Sequence, residues 1–103
     1  MKFPYMSFLF MVGFIASLIC FQISHEDVHI AINDNFLWDS QVNYDLLIPT
    51  SVTQIPKNNS IYSNEMALTH SMNEVVGYQI IWILGVLGGG ILTICLILEC
   101  KDE

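Results

Sequence analysis

The sequence predicts a mostly α-helical membrane protein with one transmembrane helix, a short and weakly structured ectodomain, and an N-terminal signal segment. Three observations predict it. Val75 to Leu98 runs for 24 residues without a charge. The chain opens on Lys2 and an apolar block that reaches Cys20. The roughly 53 residues between these stretches contain no cysteine, and a segment below about 70 residues rarely builds a self-sufficient core without disulfides or metal.

Residues 1–24 join one cation to an apolar run, Met6 to Cys20, as a secretory signal peptide does. The small residues wanted around a cleavage point are poorly placed, since Gln22 stands two before Ser24 and Ile15 two before Ser17. The rival reading is an uncleaved first span, because the uncharged stretch from Phe3 to His25 is long enough to cross a bilayer. Both readings put residues 25–77 on the same side, outside the cell or in a lumen.

Within that segment Val28, Ile30 and Ile32 alternate with His29 and Ala31, a period of two that predicts a short strand. Asn33-Asp34-Asn35 ends it. Phe36-Leu37-Trp38 and Tyr44 to Ile48 form two apolar knots, the second closed by Pro49, and Pro56 to Ser60 reads as a loop. Tyr62 to Glu74 suits a short membrane-proximal helix or stalk.

Residues 78–98 form the transmembrane helix and 99–103 a cytoplasmic tail. At about 1.5 Å per residue the uncharged run measures roughly 36 Å, against a hydrocarbon core of about 30 Å. No Lys or Arg occurs from Ile61 to Gly77, whereas Lys101 follows the span, which directs the C-terminus to the cytosol. Tyr78 and Trp82 suit the opposite, outer interface.

Ten carboxylates face three lysines and no arginine. Phosphate recognition needs clustered cations, so nucleic acid is excluded as a partner. The partners expected are the lipid bilayer, other transmembrane helices, and an unidentified protein meeting the ectodomain. Gly85, Gly89 and Thr93 recur every fourth residue and line one strip of the span, where small side chains let a second helix approach closely. The arrangement Ile81-Trp82-x-x-Gly85-Val86-x-x-Gly89-Gly90-x-x-Thr93 resembles the dimerisation motif of glycophorin transmembrane helices, with Gly89-Gly90 where that motif repeats Gly-Val. The resemblance implies close helix packing, with a homodimer as one form of it.

Asn58-Asn59-Ser60 is an N-glycosylation sequon on the lumenal side, with Asn58 as acceptor. Cys100 lies at the cytoplasmic boundary, where palmitoylation occurs. His25, His29 and His70, with Glu26 and Asp27, invite a metal reading, and His25-Glu26-Asp27-Val28-His29 matches the His-Glu-x-x-His pattern of zinc metalloproteases. The β-branched alternation around it predicts strand, and the aqueous segment is small, so the match is taken as chance: no metal, no cofactor, no catalytic residue, no enzyme. The function expected is that of a small type I single-pass protein of the secretory pathway, at the plasma membrane rather than the ER, acting as an accessory, adaptor or cell-surface recognition component. A two-span structural subunit of a channel, pump or translocation complex is the alternative.

Overall fold

A computed structural model describes residues 2–57 and 61–101, so the sequon at Asn58 lies outside the described residues. Two helices, α1 (Tyr5–Asn35) and α2 (Asn64–Cys100), flank a β-hairpin of β1 (Trp38–Asp45) and β2 (Ile48–Pro56). Both helices are long and apolar enough to cross a membrane. The single membrane-length helix expected from sequence is thus joined by a second of the same character, and the middle segment is folded rather than weakly structured.

The helices pack against each other along a seam. On α1 it runs through Ser7, Phe14, Phe21 and His25 to His29 and Asn33; on α2 through Met66, His70, Gly77, Leu84 and Gly88 to Glu99. Intervals of four, seven and eleven keep each seam on one helix face. Gly88 meets Phe14 directly: a Cβ placed on Gly88 would stand 2.5 Å from the Phe14 ring. The missing side chain is what admits the ring.

The strand expected at Val28 to Ile32 is instead the continuation of α1. Propagating a helix already nucleated in the apolar stretch costs far less than starting a new element, and the helical period brings His25, His29 and Asn33 to the face that meets α2. Asn33-Asp34-Asn35 does end the element, with Leu37 in the left-handed region (φ 62°) as the chain turns away. The expected membrane-proximal helix and the span form one helix, α2. Ser63 caps it by accepting from the Met66 backbone N–H (3.1 Å), and Glu65 complements the positive end of its dipole.

The strands pair antiparallel, with Val42 opposite Val52, and Leu46-Leu47 forms the two-residue turn. The second apolar knot read from sequence is therefore a hairpin tip, and Pro49 lies inside β2. The register slips after Asn43, leaving Thr50 unpaired in the ladder, where its hydroxyl donates to the Asn43 carbonyl (3.1 Å). Two contacts fix the hairpin against α1: Asn33 Nδ2 donates to Ser40 Oγ (2.8 Å), and Gln22 Nε2 donates to the Pro49 carbonyl (3.1 Å). The hairpin therefore folds back along α1 towards its apolar stretch.

Candidate metal centre

Where the apolar halves of the helices give way to their polar halves, three imidazoles and a carboxylate converge. His25 and His29 stand four apart on α1, and His70 and Glu74 four apart on α2, so each pair shares a helix face and the faces meet. His25 Nε2 lies 3.1 Å and His29 Nε2 2.5 Å from the same oxygen, Glu74 Oε1. Ligand atoms of His25, His29 and Glu74 all fall within 4.8 Å of one another. Gly77 makes this approach possible, since a Cβ there would stand 2.8 Å from the His25 ring. Asn73 Nδ2 adds a 3.3 Å bond to the His25 carbonyl.

A second layer orients the rings. His70 Nδ1 stands 2.7 Å from His29 Nδ1, and His70 Nε2 stands 2.9 Å from Asn33 Oδ1. Asn33 is fully enclosed, and its amide nitrogen is committed to Ser40. Burial, reinforced by the neighbouring His29 and opposed by Glu74, holds the pKa of His70 below its ordinary value. Burial alone would raise Glu74, but its hydrogen bonds with His29 and His25, and their charge, outweigh that and bring its pKa below the usual carboxylate value.

The cluster forms one wall of a cleft of about 400 Å³, completed by Glu26 and by Thr50, Val52 and Gln54 of the hairpin. Glu26 is itself buried and accepts from Gln22 Nε2 (3.0 Å). The His-Glu-x-x-His pattern thus lies on a continuous helix, beside a cleft, with a carboxylate from a second helix in reach of both histidines. The strand geometry that argued against it is absent. Two histidines and a carboxylate are a ligand set suited to zinc.

The sequence-derived residues fall elsewhere. Gly85 and Gly89 have open space beside them and lie off the α1–α2 seam, and Thr93 Oγ1 donates to the Gly89 carbonyl within the helix (2.8 Å). That strip is uncovered among the described residues. Cys100 is exposed at the end of α2. Sequence reasoning passed over Glu74 and Asn33 as site members; the signal available for the first was its place four residues after His70, as the last charge before the apolar run.

Compared with protein families, curated proteins and solved structures, the chain has no match.

Proposed function

We propose that the chain is a two-span membrane hairpin, an accessory or structural subunit that packs through the outer face of α2 against other membrane helices and holds a histidine-carboxylate cleft at the membrane boundary. One observation carries this reading: α1 is a single helix from its apolar start to the cleft, matched to α2 at both ends. At the polar end Asn33 meets His70. At the other, Glu99 accepts from the Ser7 backbone N–H (2.9 Å) and from its hydroxyl (3.2 Å), satisfying the first turn of α1.

Charge supports the orientation. Lys2 and Lys101 flank the spans at the same end of the hairpin, which directs both termini to the cytosol and the cleft to the lumenal or outer side. Asn58 then lies on the side where glycans are added, and Cys100 on the side where palmitoylation occurs. The apolar residues of both spans are largely uncovered within the chain, as lipid-facing surface is.

The leading sequence-based alternative, a single-pass type I protein, differs in the fate of α1, and the intact mass of the protein isolated from native membranes decides between them. Retention of residues through Ser24 is the result expected here. A mature chain beginning between Cys20 and His25 would refute the two-span reading and restore the single-pass adaptor.

A further inference from the structure

The wiring of the cleft sets out which atoms hold protons. Asn33 Nδ2 donates to Ser40 Oγ, so the Asn33 oxygen faces His70 Nε2, which must donate to it. In the neutral ring this leaves His70 Nδ1 as a lone pair, able only to accept, and its partner at 2.7 Å, His29 Nδ1, supplies the N–H. His29 Nε2 faces a Glu74 oxygen at 2.5 Å, and in the metal-free chain a proton on the ring bridges the two. Ligation releases that proton, and a divalent ion then takes its place between the two electron-pair donors. His25 Nε2 brings a third ligating nitrogen to the same oxygen.

We propose that His25 Nε2, His29 Nε2 and a Glu74 oxygen bind one divalent transition-metal ion of the zinc type, clamping α1 to α2 at the membrane boundary, with a fourth coordination position open to the cleft. The three ligand atoms lie within 4.8 Å of one another, near enough for side-chain rotation to bring them onto one ion. Ligands at about 2.0–2.1 Å from a tetrahedral ion stand roughly 3.3 Å apart. His25 and Glu74 are near that at 3.1 Å, and His29 and Glu74 reach it by a rotation of the Glu74 side chain, which is the solvent-open member of the set. His29 already has the outer partner that metal-bound imidazoles use to fix tautomer and ring orientation, here His70 backed by Asn33. The set of two imidazoles and one carboxylate selects zinc-like ions over calcium or magnesium, which prefer oxygen ligands. His70 acts as a positioning residue.

The inference rests on the retention of α1 argued above, and the intact mass of the same sample separates failure of that premise from failure of the site. The test uses the full-length, tag-free chain in lipid nanodiscs, titrated with Zn²⁺ by calorimetry and with Co²⁺ by visible absorption, while histidine ¹⁵N shifts are recorded. Expected are one ion per chain, the strong visible bands of tetrahedral Co²⁺, and metal-induced shifts at Nε2 of His25 and His29 but at neither nitrogen of His70. Glu74→Gln, which keeps the side-chain shape, weakens binding at least about 100-fold, and His70→Gln weakens it by roughly 10- to 100-fold as loss of an outer partner does. The Gln variants guard against a simple folding defect, and helicity by circular dichroism checks each one. The proposal is overturned by no uptake at 100-fold excess of Zn²⁺ over protein, by direct coordination at His70, or by unchanged affinity in a helical Glu74→Gln chain.

Discussion

One pair of helices packs in two chemistries. In the apolar half the seam is closed by shape: Phe14 fills the space that Gly88 leaves, and neighbouring side chains face outward. In the polar half the seam is closed by hydrogen bonds running from Glu74 through His29 and His70 to Asn33 and Ser40. The difference follows from the surroundings each half is proposed to occupy. Lipid supplies no hydrophobic drive between helices, so close contact over glycine provides the attraction; beside water, buried polar groups specify which rings meet, provided every member finds a partner. Glycine serves both, since Gly77 admits His25 as Gly88 admits Phe14.

The contrast can be broken from either side. The largest effect is expected from Gly88→Leu, which drives a side chain into the Phe14 ring and costs about 3 kcal/mol, the upper end for overpacking. Loss of fluorescence transfer between probes at the two ends of the apolar half measures it, and Phe14→Ala in the same chain recovers part of the loss if the two side chains are coupled. Next comes Asn33→Ala, which strips partners from buried His70 and from Ser40 and costs about 1–3 kcal/mol. Faster amide exchange confined to residues 25–56 and 64–77, with the apolar half still protected, is the expected signature; uniform loss of protection in both halves would show that the two are one cooperative unit. Glu99→Ala, which uncaps the first turn of α1, costs about 1 kcal/mol and frays residues 5–8 in the same exchange experiment. The smallest effect belongs to Leu46→Asp: at a fully aqueous turn it changes stability by at most about 0.5 kcal/mol in detergent. A larger loss in nanodiscs than in detergent would show the turn in contact with lipid.

Much of this architecture is legible in the residues, for reasons that differ along the chain. The Val75–Leu98 run announces a span because lipid tolerates almost nothing but apolar side chains there, and α2 contains it. The start of α2 is readable from Ser63 and Glu65, residue types that meet the needs of a helix N-terminus. Val28 to Ile32 misleads, because alternation over five residues is a local signal and helix propagation out of the apolar stretch overrides it. Likewise the tip at Leu46-Leu47 carries neither Gly nor Asn, the usual marks of a two-residue turn, and Leu46 takes φ 59° despite its bulk. The cleft is half visible: His25-Glu26-x-x-His29 stands plainly in the sequence, but Glu74, 45 residues beyond His29, joins it only through the antiparallel return of α2. Asn33 reads as a breaker and is also the anchor of the hydrogen-bonded chain.

The two leucines of the turn are among the most uncovered side chains of the molecule, at 91% and 92% exposure. The Gln22–Pro49 bond sets their height, since the turn continues two to three residues past it, about 7–10 Å at strand spacing, in the direction of the apolar part of α1. In a two-span topology this points the turn towards the outer leaflet. The hairpin's other end is tied to Asn33 and its inner edge walls the cleft. The one segment that carries these bare leucines is therefore also the segment that closes the cleft on its hairpin side.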